Sequence, residues 1–169
     1  MKIRAENILD YPTIAKVNTL AFRGKKEAKL VEFIRSSNAY ISELSLVAEI
    51  EDHVVGYIMF SYVDLVTAQE QLPVLSLAPM AVHPQFQHQG IGKALLKTGL
   101  ELADNRGEAL VVVLGYPKLY HPFGFQAAIN YQIECPFNVP EDFFMVKPLL
   151  GYEDKYQGKV IYPPEVHNV

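Results

Sequence analysis

Residues 75–106 read LSLAPMAVHPQFQHQGIGKALLKTGLELADNR, and the fold turns on how this stretch is read. It divides into an apolar strand, a short polar turn with two glycines, and a long amphipathic helix. The turn Gln87-His88-Gln89-Gly90-Ile91-Gly92 falls where the helix begins. The first N–H groups of a helix have no internal partner and point outward. The helix dipole adds roughly half an elementary charge of positive character there. Glycine removes the side chains that would hold a ligand off those N–H groups. Strand, glycine turn and helix therefore predict a site for a phosphate or pyrophosphate.

Working outward, the helix is expected from about Gln89 to Arg106, with Ile91, Ala94, Leu95, Thr98 and Leu102 along one stripe and Gly107 closing it. Ala109–Leu114 is a continuous apolar run, which suits a central strand parallel to the one before the helix. Together they make a right-handed β-α-β unit. Pro79 interrupts the first strand, because proline cannot donate a ladder hydrogen bond; a bulge there would free a backbone group for another partner.

Upstream, Lys2-Ile3-Arg4 suits an edge strand. Asp10-Tyr11-Pro12 opens a helix, with Asp10 as its cap and Pro12 in its first turn. A second helix carries Leu30, Val31, Phe33 and Ile34. Leu44–Ile50 and Val54–Val63 are strands joined by a turn at Glu51-Asp52-His53, and Gly56 marks a bulge or a close backbone approach. Downstream, Lys118-Leu119-Tyr120 is a short helical turn. Residues 126–146 read as strands with Pro136 and Pro140 at their ends, and Gly158–Pro164 reads as one more short strand. The expected class is α/β (α+β), one domain over residues 1–169, with no repeats or linkers.

Composition sets limits. Half of the 169 residues are hydrophobic and 20% are charged, enough apolar content for a sizeable core. The net charge of −4 argues against a general nucleic-acid binder. The single cysteine, Cys135, excludes an internal disulfide and suits a reducing cytoplasm; a buried structural thiol is its plainer reading. The N-terminus lacks the apolar run of a signal peptide, and no stretch approaches the roughly 20 apolar residues that span a bilayer. A soluble intracellular protein with no membrane partner is expected. His53, His83, His88, His121 and His167 have no metal-ligand spacing, so no metal is expected.

A Rossmann fingerprint needs a third glycine where Leu95 stands, and a Walker A loop needs Ser or Thr where Ala94 follows Lys93. What fits is Gln-x-x-Gly-x-Gly over Gln87–Gly92, preceded by Met80-Ala81-Val82-His83-Pro84. This resembles the acetyl-coenzyme A signature of the GNAT superfamily of N-acetyltransferases. Tyr120-His121-Pro122-Phe123-Gly124-Phe125 resembles that family's Tyr-x-x-x-Gly-Phe segment. The order of elements matches over nearly the whole chain, and Tyr162-Pro163-Pro164 resembles the tail of a bacterial subfamily of predicted N-acetyltransferases.

The resemblance implies a mixed, mostly antiparallel, twisted sheet flanked by helices, with a central parallel strand pair splayed at the cofactor site. It implies that backbone N–H groups of Gln87, His88, Gln89, Gly90, Ile91, Gly92 and Lys93 bind the pyrophosphate of acetyl-CoA. Met80, Ala81 and Val82 would pair with the pantetheine arm like an added strand. Transfer needs a neutral amine, a donor for the oxyanion such as the Met80 N–H, and a proton for the leaving thiolate. A phenol of pKa about 10 stays protonated at neutral pH, so the resemblance of its segment implies Tyr120 as the general acid.

Many relatives place a glutamate in the signature strand, whereas Ser76, Leu77, Ala78 and Pro79 offer no carboxylate. His83, Glu32, Glu43, Glu49 and Asp64 are the base candidates elsewhere, beside a water chain or deprotonation before binding. Arg23, Lys25 and Lys26 form a turn that is either simply solvated or borders the acceptor site. The acceptor is a small-molecule or protein amine, and the reading permits a homodimer. Two alternatives stand: a non-catalytic acyl-CoA-binding sensor, and an enzyme for longer acyl chains.

Overall fold

In the computed structural model, which describes residues 1–168, the chain sorts into two compact units. The first consists in the main of Met1–Ser61 and Ala78–Leu102, the second of Tyr62–Leu77 and Ala103–His167. Three elements contribute residues to both. They are strand β3 (His53–Val66), strand β4 (Gln71–Val82) and helix α3 (Ile91–Asn105). The fold is mixed α/β, its sheet mostly antiparallel with two parallel pairs.

In the first unit β1 (Lys2–Ala5) pairs antiparallel with β2 (Ser45–Ile50), and β2 with β3. Glu51 (φ 49°) and Asp52 (φ 65°) are both left-handed, as the favoured two-residue hairpin turn requires, and Ile50 faces His53 across it. The register shifts at Ala48/Glu49, opposite Gly56 and Val54. Gly56 serves a second purpose. A Cβ there would lie 2.9 Å from Ile91 Cγ2 and 3.0 Å from Leu95 Cδ1, so its absence lets α3 lie close on the strand. Gly99 of α3 returns the arrangement, since a Cβ there would run into the Phe60 ring.

Helix α1 (Tyr11–Phe22) buries Ile14 and Val17, has proline in its first turn, and stops at Arg23, whose left-handed φ of 56° ends the repeat. Asp10 does not cap it. The Asp10 carboxylate is taken by Arg4 (2.7 and 2.9 Å) and by the Asn7 N–H (2.8 Å), the last closing a capping box on the preceding 3-10 turn. Helix α2 (Lys26–Arg35) buries Leu30, Val31 and Ile34. The buried face of α3 also differs from the expected stripe. Leu96, Leu100 and Ala103 join Ile91 and Leu95 in the core, whereas Ala94, Thr98 and Leu102 are half-buried. Gly99 turns that face inward, because its missing side chain makes room for Phe60.

In the second unit β4 runs parallel to β5 (Leu110–Leu114), with Leu75 opposite Val111 and Ser76 opposite Val112. Helix α4 (Pro117–Tyr120) follows. Of residues 126–146, only β6 (Gln126–Ala127), β7 (Ile133–Glu134) and the start of β8 (Phe144–Pro148) are strand. The rest is 3-10 turn and loop, including the turn Ala128–Tyr131, which left-handed Gln132 ends. β8 pairs antiparallel with β5 and β6, and β9 (Gly158–Ile161) with β3 and, in parallel, β7. Val63, Leu65, Val74, Leu110, Val112, Phe144, Val146 and Val160 form this unit's core.

A buried polar group stands out in the first unit. The Glu6 side chain is 0% exposed; it accepts from Arg35 Nη2 (2.8 Å), Arg35 Nε (3.0 Å) and the Tyr40 hydroxyl (2.6 Å). The Arg35 guanidinium also lies 3.5 Å from the centre of the Tyr11 ring. Burial first, and then the Glu6 carboxylate, hold the Tyr40 and Tyr57 phenols above the usual tyrosine range. Removing one member of a buried pair strands its partner. Glu6→Ala should therefore lose about 3–5 kcal/mol in urea unfolding. A loss within ~0.5 kcal/mol, the usual surface range, would show the pair to be dispensable.

Candidate functional site

The turn predicted to hold an anion is built from the end of β4 onward. The His83 N–H donates to the Val55 carbonyl at 2.8 Å, which ties down the strand end. A 3-10 turn over Pro84–Phe86 follows, with His83 Nδ1 accepting from the Gln85 N–H at 3.1 Å. Gln87 then folds back, its Nε2 donating to the Val82 carbonyl at 3.0 Å. His88 (φ 63°) and Gly90 (φ 84°) are both left-handed, the kind of conformation that turns successive N–H groups into an anion nest.

The Ala94 N–H bonds the Gly90 carbonyl at 3.0 Å, so the N–H groups of Ile91, Gly92 and Lys93 precede the helical ladder. A Cβ at Gly90 would meet nothing within 4 Å, and one at Gly92 would only touch the Met80 and Val82 side chains. Gln87, His88, Gln89, Gly90 and Lys93 are exposed, and Ile91 is buried against Gly56. An open helix start, a nest-forming turn and no overhanging side chain at Gly90 fit a diphosphate.

Before this turn, Met80 and Val82 are half-buried and Ala81 is buried. The Ala78–Pro79 peptide is cis, and Pro79 stays within β4. In the second unit the β4–β5 register covers Leu75 and Ser76, while β5 continues to Leu114, which is 45% exposed. On its other side β5 stays paired with β8 as far as Leu114–Phe144.

Tyr120 ends α4, which Pro117 starts, and left-handed Gly124 (φ 93°) terminates the 3-10 turn that follows. The Tyr120 ring is 6% exposed and meets Phe125 edge-on, centroids 5.4 Å apart. Burial alone pushes its phenol up to about 12. No hydrogen-bond partner binds the hydroxyl among the described residues. The arrangement is a protonated phenol held on an apolar shelf. Gly115 lies against the ring: a Cβ there would be 2.6 Å from Tyr120 Cε2. Its place, five residues before the tyrosine, lies outside the Tyr-x-x-x-Gly-Phe pattern and gives no local signal.

The remaining named groups are placed as follows. The Glu49 carboxylate accepts from Arg4 at 2.6 and 2.8 Å. Asp64 is exposed in the β3–β9 ladder, and Glu32 lines a cavity of about 260 Å³ between α1 and α2 with Tyr11, Ala28 and Arg35. Glu43, Lys25 and Lys26 are exposed. Burial pushes the Cys135 thiol up, against a smaller opposing effect of the Phe137 N–H, which makes it a poor nucleophile. Among the described residues no group of three His, Cys, Asp or Glu side chains is arranged to hold a metal ion, and no helix is long and apolar enough to cross a membrane.

With this geometry established, three comparisons with known proteins agree. The family model for the Acetyltransferase (GNAT) domain matches residues 42–127. The chain is 37% identical over 150 residues to the uncharacterized N-acetyltransferase YhbS of Escherichia coli K12, covering 88% of this chain and 87% of that protein. It is 34% identical over 134 residues to YjhQ of the same strain, covering 79% and 74%. Among solved structures it resembles YhbS of E. coli in complex with CoA, at a TM-score of 0.87, 32% identity and 98% and 91% coverage. It also resembles a GNAT family acetyltransferase of Brucella melitensis in complex with acetyl-CoA, at 0.79, 30%, and 98% and 97%.

The open turn gives a direct test. Gly90→Ala places an L-residue in the left-handed region, at a cost of about 1–2 kcal/mol. Calorimetric titration with inorganic pyrophosphate should show binding by the parent chain and weaker binding by the variant. Equal affinity would separate the turn from anion binding.

Proposed function

The chain belongs to the GNAT family of N-acetyltransferases, and we propose that it transfers the acetyl group of acetyl-CoA directly to a primary amine, with Tyr120 as general acid. The observation that carries this reading is the open turn at the start of α3, with left-handed His88 and Gly90 and the unladdered N–H groups of Ile91, Gly92 and Lys93. The CoA and acetyl-CoA complexes of the two similar structures support acetyl-CoA as co-substrate. The family match draws on residues of both units, which supports reading the chain as one acyltransferase domain.

Acetyl-CoA supplies a thioester whose carbonyl carbon accepts the amine and whose sulfur leaves. The residues then divide the work. Backbone N–H groups from Gln87 to Lys93 hold the diphosphate. Met80, Ala81 and Val82 line up the pantetheine arm by backbone hydrogen bonds, with the Val82 carbonyl already accepting from Gln87. The Met80 N–H stabilises charge developing on the carbonyl oxygen. Tyr120 gives its Oη proton to the departing sulfur, and the proton lost by the attacking nitrogen restores the balance. Its elevated pKa means that the proton is present throughout the neutral range.

No carboxylate occupies residues 76–79, so a neutral amine is taken up or its proton leaves through water. The acceptor is a small-molecule or protein amine, and the single cysteine favours a cytoplasmic setting. That missing carboxylate also favours a second reading, a sensor that binds acyl-CoA without chemistry. A panel of amines, polyamines, amino acids and peptides decides between them. Transfer to any member supports the enzyme; tight CoA binding with no transfer across the panel supports the sensor; no CoA binding refutes both.

Tyr120→Phe should lower kcat by roughly 10²–10⁴ and leave CoA affinity nearly unchanged. The phenol keeps its proton until the pH rises through about 12, so kcat/KM should climb as the acceptor amine deprotonates, with no fall on the alkaline side up to pH about 10. A descending limb between about pH 7 and 9 would name a different acid.

A further inference from the structure

A methyl group at Gly115 would lie 2.6 Å from Tyr120 Cε2, 3.3 Å from Cδ2 and 3.5 Å from Cζ. All three nearest atoms belong to one ring. The backbone gives no other reason for glycine, because Gly115 is not among the residues with positive φ. Nor can the position yield easily, since its N–H donates to the Phe143 carbonyl at 2.9 Å. Gly124 of the second unit contrasts with it. A Cβ at Gly124 would meet the Lys147 Nζ at 2.7 Å, the far end of a flexible chain that can swing away. The Tyr120 ring is 6% exposed and held edge-on by Phe125, so it has no solvent to swing into.

We propose that Gly115 is a positioning residue for Tyr120: its bare backbone sets where the ring lies, and through the ring where the phenolic proton is delivered. This rests on the reading of Tyr120 as proton donor. A side chain at 115 pushes on the ring near its hydroxyl end, so even a small tilt carries Oη off its line. Misplacement of about 1 Å costs on the order of 10²-fold in rate. The diphosphate turn is elsewhere in the chain, so cofactor binding should not register the change.

The test is a double-mutant cycle of Gly115→Ala and Tyr120→Phe, read as kcat, KM for acetyl-CoA and CoA affinity. Gly115→Ala should lower kcat by about 10²-fold with KM and CoA affinity within about twofold. The double variant should be no slower than Tyr120→Phe alone, because a residue acting through Tyr120 has nothing left to act on. An acetyl donor whose thiol is more acidic than that of CoA needs its proton less, so both single losses should shrink with it; a merely structural defect would not respond. Losses that multiply in the double variant, or a Gly115→Ala loss indifferent to the donor, overturn the proposal.

The two readings fail separately. Full turnover by Tyr120→Phe removes the proton-donor role, whatever Gly115→Ala does. A large loss in Tyr120→Phe beside full turnover in Gly115→Ala removes the positioning role alone. Should Gly115→Ala not fold, the same substitution in a Tyr120→Ala background, where the ring is gone, should fold as well as Tyr120→Ala itself. Failure there refutes the steric argument.

Discussion

The close approach of α3 to β3 is the constraint on which the first unit depends. It is reciprocal: Gly56 of the strand receives Ile91 and Leu95 of the helix, and Gly99 of the helix receives Phe60 of the strand. Side chains at either glycine would lift the helix from the sheet. Because Ile91 is the first residue of α3, the contact that seats the helix also fixes the start of its N–H array. The left-handed turn at His88 and Gly90, and the Gln87 amide on the Val82 carbonyl, join that fixed point to a fixed strand end. An anion site made of backbone depends on this kind of rigidity, since main-chain N–H groups have no rotamers with which to adapt.

The same strand works on its other face. Tyr57 alternates with Gly56 and is fully buried; its hydroxyl has no hydrogen-bond partner among the described residues. It lies in the field of Glu6 and Arg35, so the polar group that joins the β1–α1 connection, α2 and the strand is part of β3's environment. One strand thus presents an apolar, glycine-notched face to α3 and a polar, aromatic face to the Glu6 network. Period-two alternation makes this possible, and a one-residue slip would exchange the faces. The register shift at Ala48/Glu49 confines its irregularity to the hairpin end.

What could be read from the sequence follows the range of the forces involved. The glycine turn, the hairpin at Glu51-Asp52 and the apolar run of β5 are set by local backbone chemistry, and they were legible. Gly56 reads in sequence as a bulge or a close approach, and its partners, the α3 residues Ile91 and Leu95, are too distant in sequence to be named from it. Asp10 does not cap α1 because its carboxylate has a competing partner, Arg4, brought near only by the fold. The buried stripe of α3 lies about one position from the one its periodicity predicts, since its orientation depends on Phe60 meeting Gly99. Residues 126–146 read as strands with Pro136 and Pro140 at their ends, yet most adopt 3-10 turns and loop. Gly115 and Gly99 carry no local signature, because the ring that a Cβ at each would meet is brought there by the fold.

In the proposed mechanism the acid side is better furnished than the base side, and the amine's own titration accounts for the asymmetry. A thiolate leaving an apolar site needs a proton from a group that keeps it at neutral pH, and burial of Tyr120 makes its phenol a reluctant but dependable holder. The acceptor amine needs the opposite, and a lysine-like amine is already neutral in a small fraction of molecules near pH 7. An enzyme that draws on that fraction trades rate for simplicity and requires no carboxylate in residues 76–79. An apolar surrounding at the amine would enlarge the fraction, because desolvation lowers an ammonium pKa as surely as it raises a phenol's. Burial alone can therefore set both proton states that the reaction needs.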